Sequence, residues 1–141
     1  MKKIVLLFAL LLLLSGCSSD SDTIVEVPER FFITQITDIH MNADENVGRT
    51  IRFEGMFQTI YWPATGEYYH WVYRYVFDCC GNDGEIGFEV YLGDSEPFAD
   101  DAWVEVTGVL EWYEVGAHRL LRVSATSIRE MDARGLEIVT Q

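Results

Sequence analysis

The sequence predicts an all-β domain, and three observations carry that prediction. From Phe31 onward no apolar pattern sustains a helical period. Aromatic and β-branched residues are dense there, and Gly, Asn and Asp interrupt them at short intervals. Several segments also alternate strictly, setting apolar side chains on one face and polar ones on the other.

The first expected strand is Phe31 to Ile36, followed by a turn or one short helical turn over residues 37–48. The second runs from Arg49 to Trp62, with Ile51, Phe53, Phe57 and Tyr61 sharing a face. Gly55 interrupts it, and a glycine in mid-strand marks a bulge or sharp bend that lets one strand serve both sides of a small barrel. After the turn Pro63-Ala64-Thr65-Gly66-Glu67, a third strand from Tyr68 to Asp78 alternates Tyr69, Trp71, Tyr73, Tyr75 and Phe77 against His70, Val72, Arg74 and Val76. The aromatic face is expected to be mainly buried, because aromatic rings bring the largest apolar area to a core, with a stacking platform for a ligand as the alternative. The fourth strand, Glu85 to Leu92, places Ile86, Phe88, Val90 and Leu92 inward, and a loop over 93–101 has room for one helical turn. The fifth, Ala102 to Glu114, carries Val104, Val106 and Leu110 around Gly108, a second expected bulge. Gly116 turns the chain into a last strand from Arg119 to Arg129. With the 31–36 strand set aside, five principal strands remain, the first long and glycine-kinked, with a non-strand connection between the third and fourth. That order predicts a five-stranded OB-like Greek-key barrel preceded by an N-terminal strand and turn. A lipocalin-like barrel or an immunoglobulin-like sandwich is the alternative.

The first residues concern address rather than fold. Lys2 and Lys3 precede an apolar block from Ile4 to Leu14, and Leu14-Ser15-Gly16-Cys17 follows it. A basic start, an apolar stretch of this length and small residues before a cut form an export signal, here residues 1–16. The tetrapeptide resembles the bacterial lipobox, which implies a diacylglycerol on Cys17, cleavage just before it and lipid anchoring on the extracytoplasmic face of the cell membrane. Residues 17–30 are largely small, polar or acidic and read as a tether, which leaves 31–141 for the barrel. Losing the signal also removes the only lysines, so eight arginines face 23 acidic residues and the formal charge becomes about −15. A domain so acidic repels phosphate backbones, which argues against nucleic-acid binding.

Cys79 and Cys80 stand side by side before Gly81-Asn82-Asp83-Gly84. A bond between them is geometrically poor, because adjacent trans residues hold their Cα atoms about 3.8 Å apart, below the usual disulfide range. Such a bridge would be easily reduced, so a redox switch is one reading. In a regular strand the two thiols face opposite ways, but a turn relaxes that, and Asp83 with His70 from the preceding strand would complete a donor set suited to Zn²⁺. The third reading leaves both cysteines structural.

Two blocks together carry a family resemblance. Residues Arg74 to Val90, with Cys79-Cys80 and Asp83, are similar to the R-F-x-x-x-C-C-x-x-D-x-x-x-x-G block of a bacterial family of predicted permease subunits, and Trp103-Val104-Glu105-Val106-Thr107-Gly108 is similar to its W-V-x-V-x-G block. Upstream, Asp38-Ile39, Asn42, Gly48 to Ile51 and Gly55 fall in the order of that family's approach to the first block. The resemblance spans roughly residues 34–130 and implies a surface-held accessory domain beside a membrane permease, with metal-ion handling suspected and Cys79, Cys80 and Asp83 singled out. This chain would replace the family's membrane helices with a lipid.

No other constellation points to chemistry. His40, His70 and His118 lack metalloprotease spacing, Ser124, Thr126 and Ser127 lack a nucleophile-elbow context, and no glycine-rich phosphate loop is present. The expectation is therefore a non-catalytic binding or accessory domain. It would act through the Cys79 to Asp83 turn on a metal or permease partner, or through exposed aromatics such as Trp62, Trp112 and Tyr113 on a ligand or protein.

Overall fold

The computed structural model describes residues 23–77 and 84–140. Seven strands form one sheet: β1 (Val25–Glu26), β2 (Thr50–Trp62), β3 (Glu67–Val76), β4 (Gly84–Tyr91), β5 (Trp103–Val115), β6 (His118–Glu130) and β7 (Ile138–Val139). Between β1 and β2 lie a 3-10 turn at Glu29–Phe31, helix α1 (Phe32–Met41) and the short helix α2 (Ala43–Asn46).

Five of the strands close on themselves. β2 pairs antiparallel with β3 and with β5, β3 with β4, and β5 with β6, while β4 and β6 run parallel. The ring β2-β3-β4-β6-β5-β2, with its single parallel step, is the OB-type Greek-key barrel. The strand that serves two partners does so at its glycine: β2 pairs with β5 up to Met56 and with β3 from Met56 onward. A Cβ on Gly55 would lie 2.7 Å from the Tyr73 carbonyl oxygen, so no other residue fits where the strand passes from one sheet half to the other. The second expected bulge is equally concrete, since the β5–β6 register shifts between Thr107 and Gly108.

The barrel interior follows the alternation of β2, β4 and β5. Ile51, Phe53, Phe57, Phe88, Val90, Val104, Val106 and Leu110 are all essentially inaccessible. Two expectations fail. The segment containing Phe31 to Ile36 is mostly helix, not strand, because Phe32, Ile33, Ile36 and Ile39 recur at helical spacing and all four are buried against the barrel core. Burial on one helical face outweighs the β-propensity of its Ile and Thr residues. β3 is also turned over. Val72 and Arg74 face the barrel core, whereas the aromatic face lies on the outside and only Tyr73 on it is fully buried, in a satellite cluster with Met56 and Trp103. The register dictates this, since Val72 stands opposite both Phe57 and Phe88, and Tyr73 opposite Met56 and Gly87. The loop between β4 and β5 forms turns and no helix, and it sends Phe98 edge-on to Phe57 at 5.7 Å.

Arg74 ties both ends of the domain to the barrel. Its Nε donates to the Glu54 carbonyl at 2.9 Å, and its Nη1 donates to Glu29 Oε2 at 3.1 Å and to the Leu136 carbonyl at 3.2 Å. The guanidinium lies 4.5 Å from the Phe32 ring centroid and 4.8 Å from that of Trp103. Glu29 Oε2 accepts in turn from the Leu136 backbone N–H at 2.7 Å, and β7 then adds to the edge of β3 in parallel.

Candidate functional site

Among the described residues, four exposed large apolar side chains gather on the β2–β3 ribbon. Ile60, Tyr61, Trp62 and Tyr68 are each between 42% and 67% exposed. Cross-strand pairing sets their order: Ile60 stands opposite Tyr69, Tyr61 opposite Tyr68 and Trp62 opposite Glu67. The rings meet in two sets on the two faces of the ribbon, Tyr61 with Tyr68 at 5.1 Å and Trp62 edge-on to Tyr69 at 5.5 Å. No charged side chain interrupts residues 59–66. Aromatic rings left in water on a two-stranded ribbon forgo the burial that normally accounts for their presence, so the patch reads as a contact surface.

Beside the ribbon, the outer barrel surface dips into two adjacent clefts. One, of about 410 Å³, is lined by Ile60, Trp62, Tyr69, Trp71 and Leu120, with His40, His70, Glu89 and Leu121 completing it. The other, of about 390 Å³, shares Tyr69, His70 and Glu89 and adds Glu67, Tyr91, Tyr113, Glu114 and Arg122. Both fall in the size range of ligand pockets, and both lie on the outer side of β3 and β4, where barrels of this topology take ligands.

The polar groups of the clefts are fixed by their neighbours. Glu89 stands opposite Trp71 on β3 and Arg122 on β6, and it accepts a hydrogen bond from the Tyr113 hydroxyl. Burial raises the Glu89 carboxyl above its ordinary pKa, against the opposing pull of the Tyr113 hydrogen bond and the Arg122 charge. Burial likewise holds the Tyr113 phenol well above its usual value. Arg122 is clamped 4.3 Å from the Tyr91 ring and 4.4 Å from the Tyr113 ring, and its Nε donates to Glu111 at 2.7 Å. Trp112 is occupied too: Arg119 sits 4.4 Å over its ring and its indole N–H donates to Asp44.

Of the residues expected to bind metal, only His70 falls among the described ones. Its ring stacks on Phe57 at 5.4 Å and its Nδ1 lies 3.2 Å from Thr59 Oγ1, while burial lowers its pKa. Cys79, Cys80 and Asp83 lie outside the described residues, as does Cys17. They belong to the connection that leaves β3 after Val76 and enters β4 at Gly84, two residues paired across the ladder. His70 sits six residues back along β3, about 20 Å at strand spacing. The register therefore places His70 away from the cysteine-bearing end, on the inward face of β3 beside Phe57, where it borders the aromatic cleft. Among the described residues no three His, Cys, Asp or Glu side chains come together as a metal-binding group.

Of the aromatics expected to be exposed, Trp62 is, whereas Trp112 and Tyr113 are engaged by the chain's own arginines. Glu89 was not singled out as ligand-binding by the sequence, and Tyr69 and Trp71 entered only as members of an aromatic face for which a stacking platform was the alternative to core. The signal existed in the alternation of β3, but only the strand register reveals which face is outside.

No curated protein matches the chain. Among solved structures, the N-terminal domain of PriB protein from Thermoanaerobacter tencongensis aligns at 16% identity with a TM-score of 0.36, covering 60% of this chain and 97% of that one. The barrel assignment rests on the strand pairing itself. The model of the DUF1980 C-terminal domain matches residues 17–134, and the chain belongs to that family.

Proposed function

We propose that this protein is a non-catalytic binding module, held at the extracytoplasmic membrane surface by lipid on Cys17, that takes its ligand in the aromatic clefts on the outer face of β3 and β4. One observation carries the reading: Ile60 and Trp62 stay exposed at the rim of a cleft floored by Trp71 and Glu89, on the face of an OB-type barrel that ligands use. Geometry supports a ligand away from the anchor. The six residues from Cys17 to Thr23 span about 20 Å at most, and β1 meets β2 at Ile51 and Arg52, the end of β2 opposite Trp62. A membrane permease is a partner consistent with that placement.

The test is a titration of the full-length chain in detergent, followed at the tryptophan indole N–H signals, with a cello-oligosaccharide, an apolar peptide and a basic peptide. At least one probe should shift Trp62 and Trp71 selectively. Shifts confined to residues outside the clefts, or none with any probe, would remove the reading.

A second reading has support from the hairpin that carries the cysteines. Because Val76 pairs with Gly84, the two ends of the segment bearing Cys79, Cys80 and Asp83 are adjacent, and two thiolates with a carboxylate suit Zn²⁺. Their role would be to hold the cation for a partner. Purified wild type should then retain zinc at better than micromolar affinity and the Cys79→Ser, Cys80→Ser variant should not. Equal zinc content in both would end the metal proposal.

A further inference from the structure

The described residues include all eight arginines of the chain, and every one is engaged by the protein itself. Arg49 donates to Asn46, and Arg52, Arg74, Arg119, Arg122, Arg129 and Arg134 each lie against a carboxylate. Arg30 lies over Phe31. Four of them repeat one arrangement, in which a guanidinium lies over an aromatic ring while a carboxylate reaches it: Arg74 on Phe32 and Trp103 with Glu29, Arg119 on Trp112 with Asp44, Arg122 on Tyr91 and Tyr113 with Glu111, and, more distantly, Arg134 on Trp103 with Glu137. A flat, weakly hydrated cation gains from the ring face and the carboxylate together, which a compact ammonium does less well.

Around Tyr69, which the two clefts share, the same components stand together, while Arg122 of the second cleft is held by Glu111. Trp62 is 45% exposed, Tyr69 meets its ring edge-on, and the Tyr69 hydroxyl donates at 3.2 Å to Glu67, whose backbone stands opposite Trp62. Glu89 lies deeper, opposite Trp71. Glu67, Glu89 and Glu114 together outnumber Arg122, the one arginine lining the two clefts, so the surface has a surplus of negative charge. With its own arginines committed and no lysine among the described residues, no arginine or lysine of the described residues is left for that slot.

We propose that the Trp62–Tyr69 cleft captures an arginine side chain from an extended segment of a partner protein, with the guanidinium over Trp62 and its N–H groups directed at Glu67. This rests on the binding-module reading above and names the chemistry of its ligand. Charge complementarity selects a basic segment, and the ring geometry selects arginine over lysine.

Hexa-arginine, hexa-lysine and free L-arginine are titrated into the full-length chain in detergent at about 0.15 M salt, where long-range attraction is screened beyond ~8 Å. Hexa-arginine should shift the Trp62 and Trp71 indole signals and bind at least about fivefold more tightly than hexa-lysine. Trp62→Leu, which preserves every charge, should weaken hexa-arginine by about five- to tenfold. Glu67→Gln should weaken it as well, with both variants keeping the wild-type unfolding midpoint. Equal binding of the arginine and lysine peptides, or no effect of Trp62→Leu, would show bulk charge alone and overturn the proposal. So would free L-arginine binding as tightly as the peptide. If hexa-arginine fails while the cello-oligosaccharide shifts the same indoles, the arginine proposal falls and the binding module stands; if every probe fails, both fall.

Discussion

Replacing Arg74 by Met should cost about 2–4 kcal/mol of stability, chiefly from backbone acceptors left without their buried donor, because the ion-pair partner Glu29 is 43% exposed and stays solvated. The side chain is 2% exposed, and its removal would leave the carbonyls of Glu54 and Leu136 without their donor and strip the cation from between Phe32 and Trp103. It would also release Glu29, which bridges to the Leu136 N–H, so the N-terminal turn and the β7 tail should loosen together. Chemical denaturation gives the magnitude, and hydrogen exchange at Tyr75, whose N–H donates to the Glu137 carbonyl, reports the tail. The partner carries a pH signature. The backbone hydrogen bond from Leu136 lowers the Glu29 carboxyl pKa most, with Arg74 adding its hydrogen bond and charge against the opposing effect of burial. A carboxyl whose folded pKa is depressed contributes fully above its unfolded value near 4.5 and loses that contribution as pH falls through the folded value. Glu29→Gln should therefore lower stability at neutral pH by less than Arg74→Met and flatten the acid limb. An Arg74→Met protein as stable as wild type, with an unaltered acid limb in Glu29→Gln, would contradict the clasp.

Gly87→Ala should be nearly as damaging, by about 3 kcal/mol or ~10 °C in unfolding midpoint for a domain of this size. A Cβ there would lie 2.0 Å from the Val72 carbonyl oxygen and 2.7 Å from the Tyr73 Cα. Both obstacles are backbone, so no rotamer change relieves them, and the β3–β4 ladder itself must open. The Gly87 carbonyl also accepts from His40 Nε2 at 2.9 Å, where that ring stacks on Phe88, so opening the ladder would disturb the packing of α1 as well. Gly116→Ala at the β5–β6 turn, with φ of 61° and open space around it, provides the contrast: its cost is confined to the left-handed backbone, about 1 kcal/mol. If thermal unfolding places the two variants at the same midpoint, the close approach of β3 and β4 is wrong.

The five barrel strands were legible because their alternation reports burial on one side. Arg49 to Trp62 became Thr50–Trp62 and Glu85 to Leu92 became Gly84–Tyr91, and the interruptions at Gly55 and Gly108 mark where β2 changes partners and where β5 bulges against β6. Helix α1 was not read, although Phe32, Ile33, Ile36 and Ile39 carry a helical spacing. The β-branched content of Phe32 to Ile39 favoured strand locally, and only the open end of a barrel needing a cover decides otherwise. β3 misled for a different reason. Both its faces hold large side chains, and the inward one includes an arginine that is tolerable only because Glu29, 45 residues earlier, neutralises it. Its outer aromatics, mistaken for core, supply the floor of the candidate site. Cys17 in its lipobox-like tetrapeptide and the vicinal cysteines are matters of chemistry and address, legible as motifs and independent of this packing.

The most direct test of the account is the pair of indole signals from Trp62 and Trp71 during titration of the full-length chain with the basic peptide. Selective, saturable shifts of these two, abolished or weakened in Trp62→Leu while Trp103 in the satellite cluster stays fixed, are the predicted result. Saturable binding that leaves Trp62 and Trp71 unmoved would contradict the placement of the binding site on the outer face of β3.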